Sequence, residues 1–306
     1  MKKITMGIAF MCIIFLSTVG CSSGGGSSSG GNYGYSTVNA VQNQPSQNSS
    51  SNSEQDISSQ NSSQSNGDGT QKVYALFTGI NSTILGSEND ARELENALKP
   101  GSVNTIWNNA ESTLYLTAQT NKSNIQNKMT ELAGKADGDD IFLFYYSGHG
   151  TRGSIKPSGG NITPSELAGY LSKFSTATKK IVILDCCDSG MAINSLKQIQ
   201  NITILTATKT SGIEDAQEGS LSSTYLGEDI LNNHYGHHHG YFTYFLIRGL
   251  GLSGNSMGEL SNLSLITLKS LFDYASPKTK DYANYIGKSQ SPSFYTNTTD
   301  YAIKGR

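Results

Sequence analysis

Cysteine is scarce in this sequence. Of four in 306 residues, Cys12 and Cys21 fall within the first 21, so the rest of the chain keeps Cys186 and Cys187 alone. Neighbouring cysteines cannot staple a long loop, which excludes a disulfide framework and leaves an apolar core to hold the fold. Histidine is almost as sparse: His234, His237, His238 and His239 share one polar stretch, and His149 stands apart from them. Positive charge is not concentrated anywhere. Lys and Arg number 22 against 24 Asp and Glu, for a net charge of −2, and the absence of a basic patch argues against nucleic acid as a main partner.

What is present changes along the chain. Residues 1–20 pair Lys2 and Lys3 with an apolar stretch from Ile4 to Leu16 and then small residues, the pattern of a secretory signal peptide and too short for a comfortable membrane span. The ending Thr18-Val19-Gly20-Cys21 is similar to a bacterial lipobox, with Thr18 where Leu is usual. Cys21 is then either a lipidation site or an incidental cysteine beside an ordinary signal, and the four-residue pattern favours the first. Acyl chains there would anchor an exported chain to a bacterial membrane, facing the periplasm or the exterior. Residues 21–70 are rich in Ser, Gly, Asn and Gln, too poor in apolar side chains to offset the entropy of ordering. As a random coil, such a tether spans about 35–42 Å.

From residue 71 to 306 the pattern is that of one globular domain. Apolar runs at 72–80, 112–118, 140–148, 179–187 and 202–208 read as strands. Helical periodicity at 87–101, 123–135, 163–174, 241–250 and 264–275 reads as helices. Ser87 is the expected N-cap of the first helix, with Pro100-Gly101 as its stop, and Thr163-Pro164 with Glu166 predicts a capping box. Strands apolar on both faces, alternating with helices, imply an α/β fold with a mostly parallel sheet covered on both sides. Ligands of such sheets bind beyond the carboxyl ends of the strands, where YYSGHG (145–150) and ILDCCDSG (183–190) both terminate.

These two stretches bring reactive groups together. A thiol of ordinary pKa is mostly protonated at neutral pH and needs a base, which His149 can be. Gly148 and Gly150 let the backbone approach a substrate and turn N–H groups toward a developing oxyanion. The polar stretch holding His234 to His239 reads as a solvated loop rather than a metal site.

YYSGHG with ILDCCDSG resembles the caspase-like cysteine peptidases, metacaspases and related bacterial enzymes above all. ENDARELENAL, ITILTAT, GYFTYFLIRGL and SPSFYT agree with that likeness over about residues 72–296, and the 38 positions from His149 to Cys187 fit its spacing. The resemblance implies a three-layer α/β sandwich with about six strands. It implies His149 and Cys187 as catalytic residues, with the N–H groups of Gly150 and Cys187 as the oxyanion hole. Asp90, Ser147 and Asp185 match an acidic substrate pocket, which suits Arg or Lys before the scissile bond. Asp90 read without the resemblance is a charge at a helix N-terminus. Cys186 is expected to be a packed thiol facing away from Cys187. No cofactor is implied: Thr163-Pro164 stands where some relatives have calcium-binding carboxylates. Asp188 replaces a frequent His without an evident reason, and Lys209 is a candidate self-cleavage site. The competing reading is a caspase-like binding or scaffolding module without catalysis.

Overall fold

The structure, a computed structural model, describes residues 67–81, 86–98, 106–219, 238–251, 258–260 and 262–305. The leader, the tether as far as residue 66, and the Pro100-Gly101 helix stop lie outside the described residues. So do His234 and His237.

Five apolar runs pair as expected, in register and in parallel. Strands β1 (Val73–Gly79), β2 (Ala110–Leu116), β3 (Ile141–Ser147), β6 (Lys179–Asp185) and β7 (Ile202–Thr206) are joined by β11 (Ser293–Thr296), which is antiparallel to β7. The order across the sheet is β11-β7-β6-β3-β1-β2. Each strand's side chains alternate between two cores. Val73, Ala75 and Phe77, with Leu143, Tyr145, Ile181 and Ile183, pack on α1 (Ser87–Leu98), α5 (Tyr241–Leu250) and α6 (Leu268–Tyr285). Tyr74, Leu76, Phe142, Phe144, Tyr146, Val182 and Leu184 pack on α2 (Lys122–Lys135), α3 (Pro164–Leu171) and α4 (Ile193–Leu196). The result is the expected three-layer α/β sandwich.

Local signals explain several boundaries. Thr163 and Glu166 form the predicted capping box at α3. At α1 the expected Ser87 cap is not used: Ser87 Oγ is buried without a partner among the described residues, and Asn81 Oδ1 accepts the Glu88 N–H at 3.0 Å instead. The helix expected at 264–275 begins later and runs further. Leu265–Thr267 is strand β10, paired with β12 (Ala302–Gly305); Thr267 caps α6, which continues through Pro277. The hairpin β4 (Gly150–Thr151) and β5 (Ser154–Ile155) follows β3, and β8 (Glu218–Gly219) pairs with β9 (His239–Gly240) just before α5.

The register fixes what meets at the carboxyl edge. Gly79, Ser147 and Asp185 are opposite one another across β1, β3 and β6. His149 and Cys187 each stand two residues beyond that row.

Candidate active site

The turns after β3 and β6 touch. A Cβ on Gly150 would lie 2.5 Å from the Cys187 carbonyl oxygen and 2.6 Å from Cys186 Sγ. Glycine at this position therefore serves the approach of the two turns, a closer constraint than clearance for a substrate. Gly148 is pinned in the same way: at φ +156° its Cβ would meet Ile80 Cγ2 at 2.6 Å and the Tyr146 hydroxyl at 2.7 Å.

Buried Tyr146 supports the histidine turn from below. Its hydroxyl donates to the His149 carbonyl at 2.9 Å and accepts the Lys156 N–H at 3.2 Å. Lys156 also donates its N–H to the His149 carbonyl, which makes 149 and 156 the hydrogen-bonded pair and turns the Gly150 N–H away from β5. The His149 side chain is half-buried, and that burial, with Lys156 nearby, holds its pKa below the ordinary value of 6.5. It is a neutral base at neutral pH.

The two cysteines part as strand alternation requires. Cys186 is 1% exposed in the core with Tyr146 and Leu184, and burial pushes its thiol well above the usual range. Cys187 is partly exposed. Behind it, Asp188 adopts a left-handed conformation at φ +56° and ties three segments together. Its carboxylate accepts the N–H groups of Arg152 at 2.8 Å and Glu214 at 2.9 Å, while its own N–H donates to the Glu214 carbonyl at 2.9 Å. The sequence supplied no reason for Asp188; the structure makes it the clamp of the cysteine turn. Glu214, also buried, in turn accepts the N–H groups of Lys209 at 2.7 Å and Ser291 at 3.1 Å.

The three carboxylate-pocket candidates converge on the α1 and α5 side of the sheet. Ser147 Oγ donates to Asp90 Oδ2 at 2.7 Å. Asp185 Oδ2 accepts from both the N–H and the hydroxyl of Thr243, at 3.0 and 2.7 Å. Asp90 Oδ1 and Oδ2 accept the Gly240 N–H at 3.2 and 3.1 Å. Both acids therefore sit at the N-terminus of α5, where the helix dipole favours negative charge. Burial nonetheless raises both pKa values, that of Asp185 to about 7.

One expectation is corrected here. His239 is not part of a solvated loop: it is 1% exposed, with Nδ1 2.9 Å from Asp90 Oδ1 and Nε2 3.4 Å from Glu93 Oε2. The carboxylates of α1 draw the imidazole inward, and Asn89 Nδ2 holds the preceding carbonyl of His238 at 3.2 Å. Thr243, His239 and Asp188 are the site residues that sequence reading missed. The YFT start of α5 is the one local signal that could have drawn attention to Thr243.

A family model described as the caspase domain matches residues 72–303. None of the curated proteins matches the chain. Among solved structures, the protein GSU0716 from Geobacter sulfurreducens is similar with a TM-score of 0.47 and 15% identity, over 78% of this chain and 97% of its own. The Drosophila initiator caspase Dronc is similar with a TM-score of 0.40 and 8% identity, over 74% and 79% of the two chains.

Proposed function

The chain belongs to the caspase domain family, and from that premise we propose that it is a cysteine endopeptidase cleaving after Arg or Lys, with Cys187 as nucleophile and His149 as general acid and base. The observation that carries the reading is the contact of two glycine-cleared turns at one sheet edge, beside a cluster of three polar residues, Asp90, Ser147 and Asp185. Neutral His149 takes the Cys187 thiol proton. The thiolate adds to the scissile carbonyl, and the N–H groups of Gly150 and Cys187 stabilise the oxyanion. His149 then returns the proton to the leaving amine, and water, deprotonated by the same imidazole, hydrolyses the thioester.

The two carboxylates supply the charge that a guanidinium or ammonium group needs. Ser147 keeps Asp90 aimed toward β3. A fluorogenic peptide with Arg before the cleaved bond tests the reading: turnover is expected, and Cys187→Ala should abolish it. Turnover unchanged in that variant overturns the mechanism, and preference for Asp overturns the pocket. Inertness of the chain, with Cys187 and Cys186 alkylated at equally slow rates, favours a binding module.

Export and lipid attachment at Cys21 belong to the same proposal, supported by the leader and tether compositions. Incorporation of labelled palmitate that is lost in Cys21→Ala is the expected result. Protein and peptide substrates are thereby expected outside the cytoplasmic membrane.

A further inference from the structure

The proposed basic-residue pocket already holds a nitrogen base from its own chain. Asp90, Ser147 and Asp185 are 0–3% exposed, and what covers them is β9. The His239 ring presents one nitrogen to Asp90 at 2.9 Å and the other to Glu93 at 3.4 Å. Gly240 follows it so closely that a Cβ there would reach within 2.4 Å of Asp185 Oδ2 and 3.1 Å of Asp90 Oδ2. Glu218 of β8, paired with Gly240, adds a fourth carboxyl group, and the Tyr244 ring of α5 lies 5.9 Å from the imidazole.

We infer that His239 is an internal occupant of the pocket that competes with the substrate's Arg or Lys side chain, and that Glu93 is a third specificity carboxylate, passed to the substrate when His239 leaves. This rests on the Arg/Lys reading above. The chemistry is that of a match between a nitrogen base and acceptors: of two carboxylates from one helix, Asp90 hydrogen-bonds one ring nitrogen and Glu93 lies within ion-pair distance of the other. A guanidinium offers the same acceptors more N–H donors with a permanent charge, so it is the better guest. A neutral imidazole satisfies one carboxylate alone. The backbone pairing of the cover is short: β8 and β9 share a two-residue ladder, Glu218 with Gly240 and Gly219 with His239. Glycine at 240 is what lets the backbone lie against both acids, so the occupant reaches the pocket floor without a side chain in the way.

Competition of this kind raises apparent KM by the reciprocal of the fraction of molecules whose pocket is open; a pocket open in a tenth of them carries about a tenfold penalty. The test compares wild type with His239→Ala, His239→Gln and His239→Lys, using an Arg peptide for turnover and arginine amide for calorimetric binding. His239→Ala and His239→Gln should lower KM and tighten arginine amide by about threefold to tenfold with kcat little changed, and His239→Lys, a permanent cation, should raise KM. The Gln variant keeps a polar side chain of similar size, so the comparison survives if Ala unfolds. Glu93→Gln should weaken arginine amide in the His239→Ala background. KM and binding equal to wild type in all three His239 variants overturn the inference while leaving the Arg/Lys reading standing. Cys187-dependent cleavage that ignores Arg and Lys peptides in all four proteins overturns both.

Discussion

A histidine is a good base only where its environment leaves it neutral, and His149 owes that to burial and to the positive charge of Lys156. Because its pKa is lowered, the acid limb of kcat/KM should fall below pH 6.5, the ordinary histidine value, rather than at it. A limb well above that value, measured on the Arg peptide, would remove His149 from the role of base. Asp188 is the other residue whose work is local. Its left-handed backbone suits Asn as well as Asp, and its two acceptor bonds go to the main-chain N–H groups of Arg152 and of buried Glu214. Asp188→Ala should destabilise the fold by about 3 kcal/mol in urea melts and lower kcat/KM, with Asp188→Asn close to half that cost. A loss of kcat/KM without loss of stability would instead point to a direct contact with substrate. The work of Asp188 was not legible in the sequence, because Arg152 and Glu214 reach it through tertiary structure alone.

Elements carry the next level of meaning, and α5 shows how a group proposed to set specificity is also a structural one. Gly240 at its N-cap has no side chain to bond the first turn, and Asp185 of β6 performs that service through Thr243. Asp185→Asn keeps an acceptor for the Thr243 N–H but loses the charge, so melting in mild acid, where Asp185 is already protonated, should change little while KM for the Arg peptide at pH 8 rises tenfold or more, about 1.4 kcal/mol. Asp185→Ala should lose both, with stability falling by about 1–2 kcal/mol. Equal melting of the two variants would show that the cap contributes nothing. The four inner parallel strands were readable because each is apolar on both faces, edge strand β2 from its shorter apolar run, and α3 because Thr163, Pro164 and Glu166 spell its start. The start of α6 was not: Leu265 and Ile266 continue a helical apolar spacing, and only pairing with Ile303's strand makes them β10. The cap of α1 failed as a reading for a similar reason, since Asn81 stands seven residues before Glu88, outside any local capping pattern.

Across the whole molecule, the buried pocket makes stability depend on pH in an unusual direction. Most paired carboxylates stabilise a protein as pH rises, but here burial raises the pKa of Asp90, takes Asp185 to about 7, and takes Glu218 to about 7. For Asp185 and Glu218, the native state binds more protons than the unfolded chain between their ordinary values, 3.8 and 4.5, and about 7, so stability falls as pH rises through that window. His239 adds the same sign: its pKa is raised by Asp90, Glu93 and Asp185 against the opposing effect of burial, so its contribution is present below 6.5 and is lost as pH passes its folded value. These groups thus favour the folded state most in mild acid, where His149 is least able to act as a base. Glu218 isolates the effect, because its Oε2 is buried without a partner among the described residues and its charge is not needed to hold His239. Glu218→Gln should match wild type in urea melts at pH 5, where the acid is already protonated. At pH 8 it should be the more stable by about 1 kcal/mol after allowance for partial exposure. An equal difference at both pH values would mean that Glu218 titrates as an ordinary surface carboxylate, and the pH dependence of stability would have to be carried by Asp90, Asp185 and His239 alone.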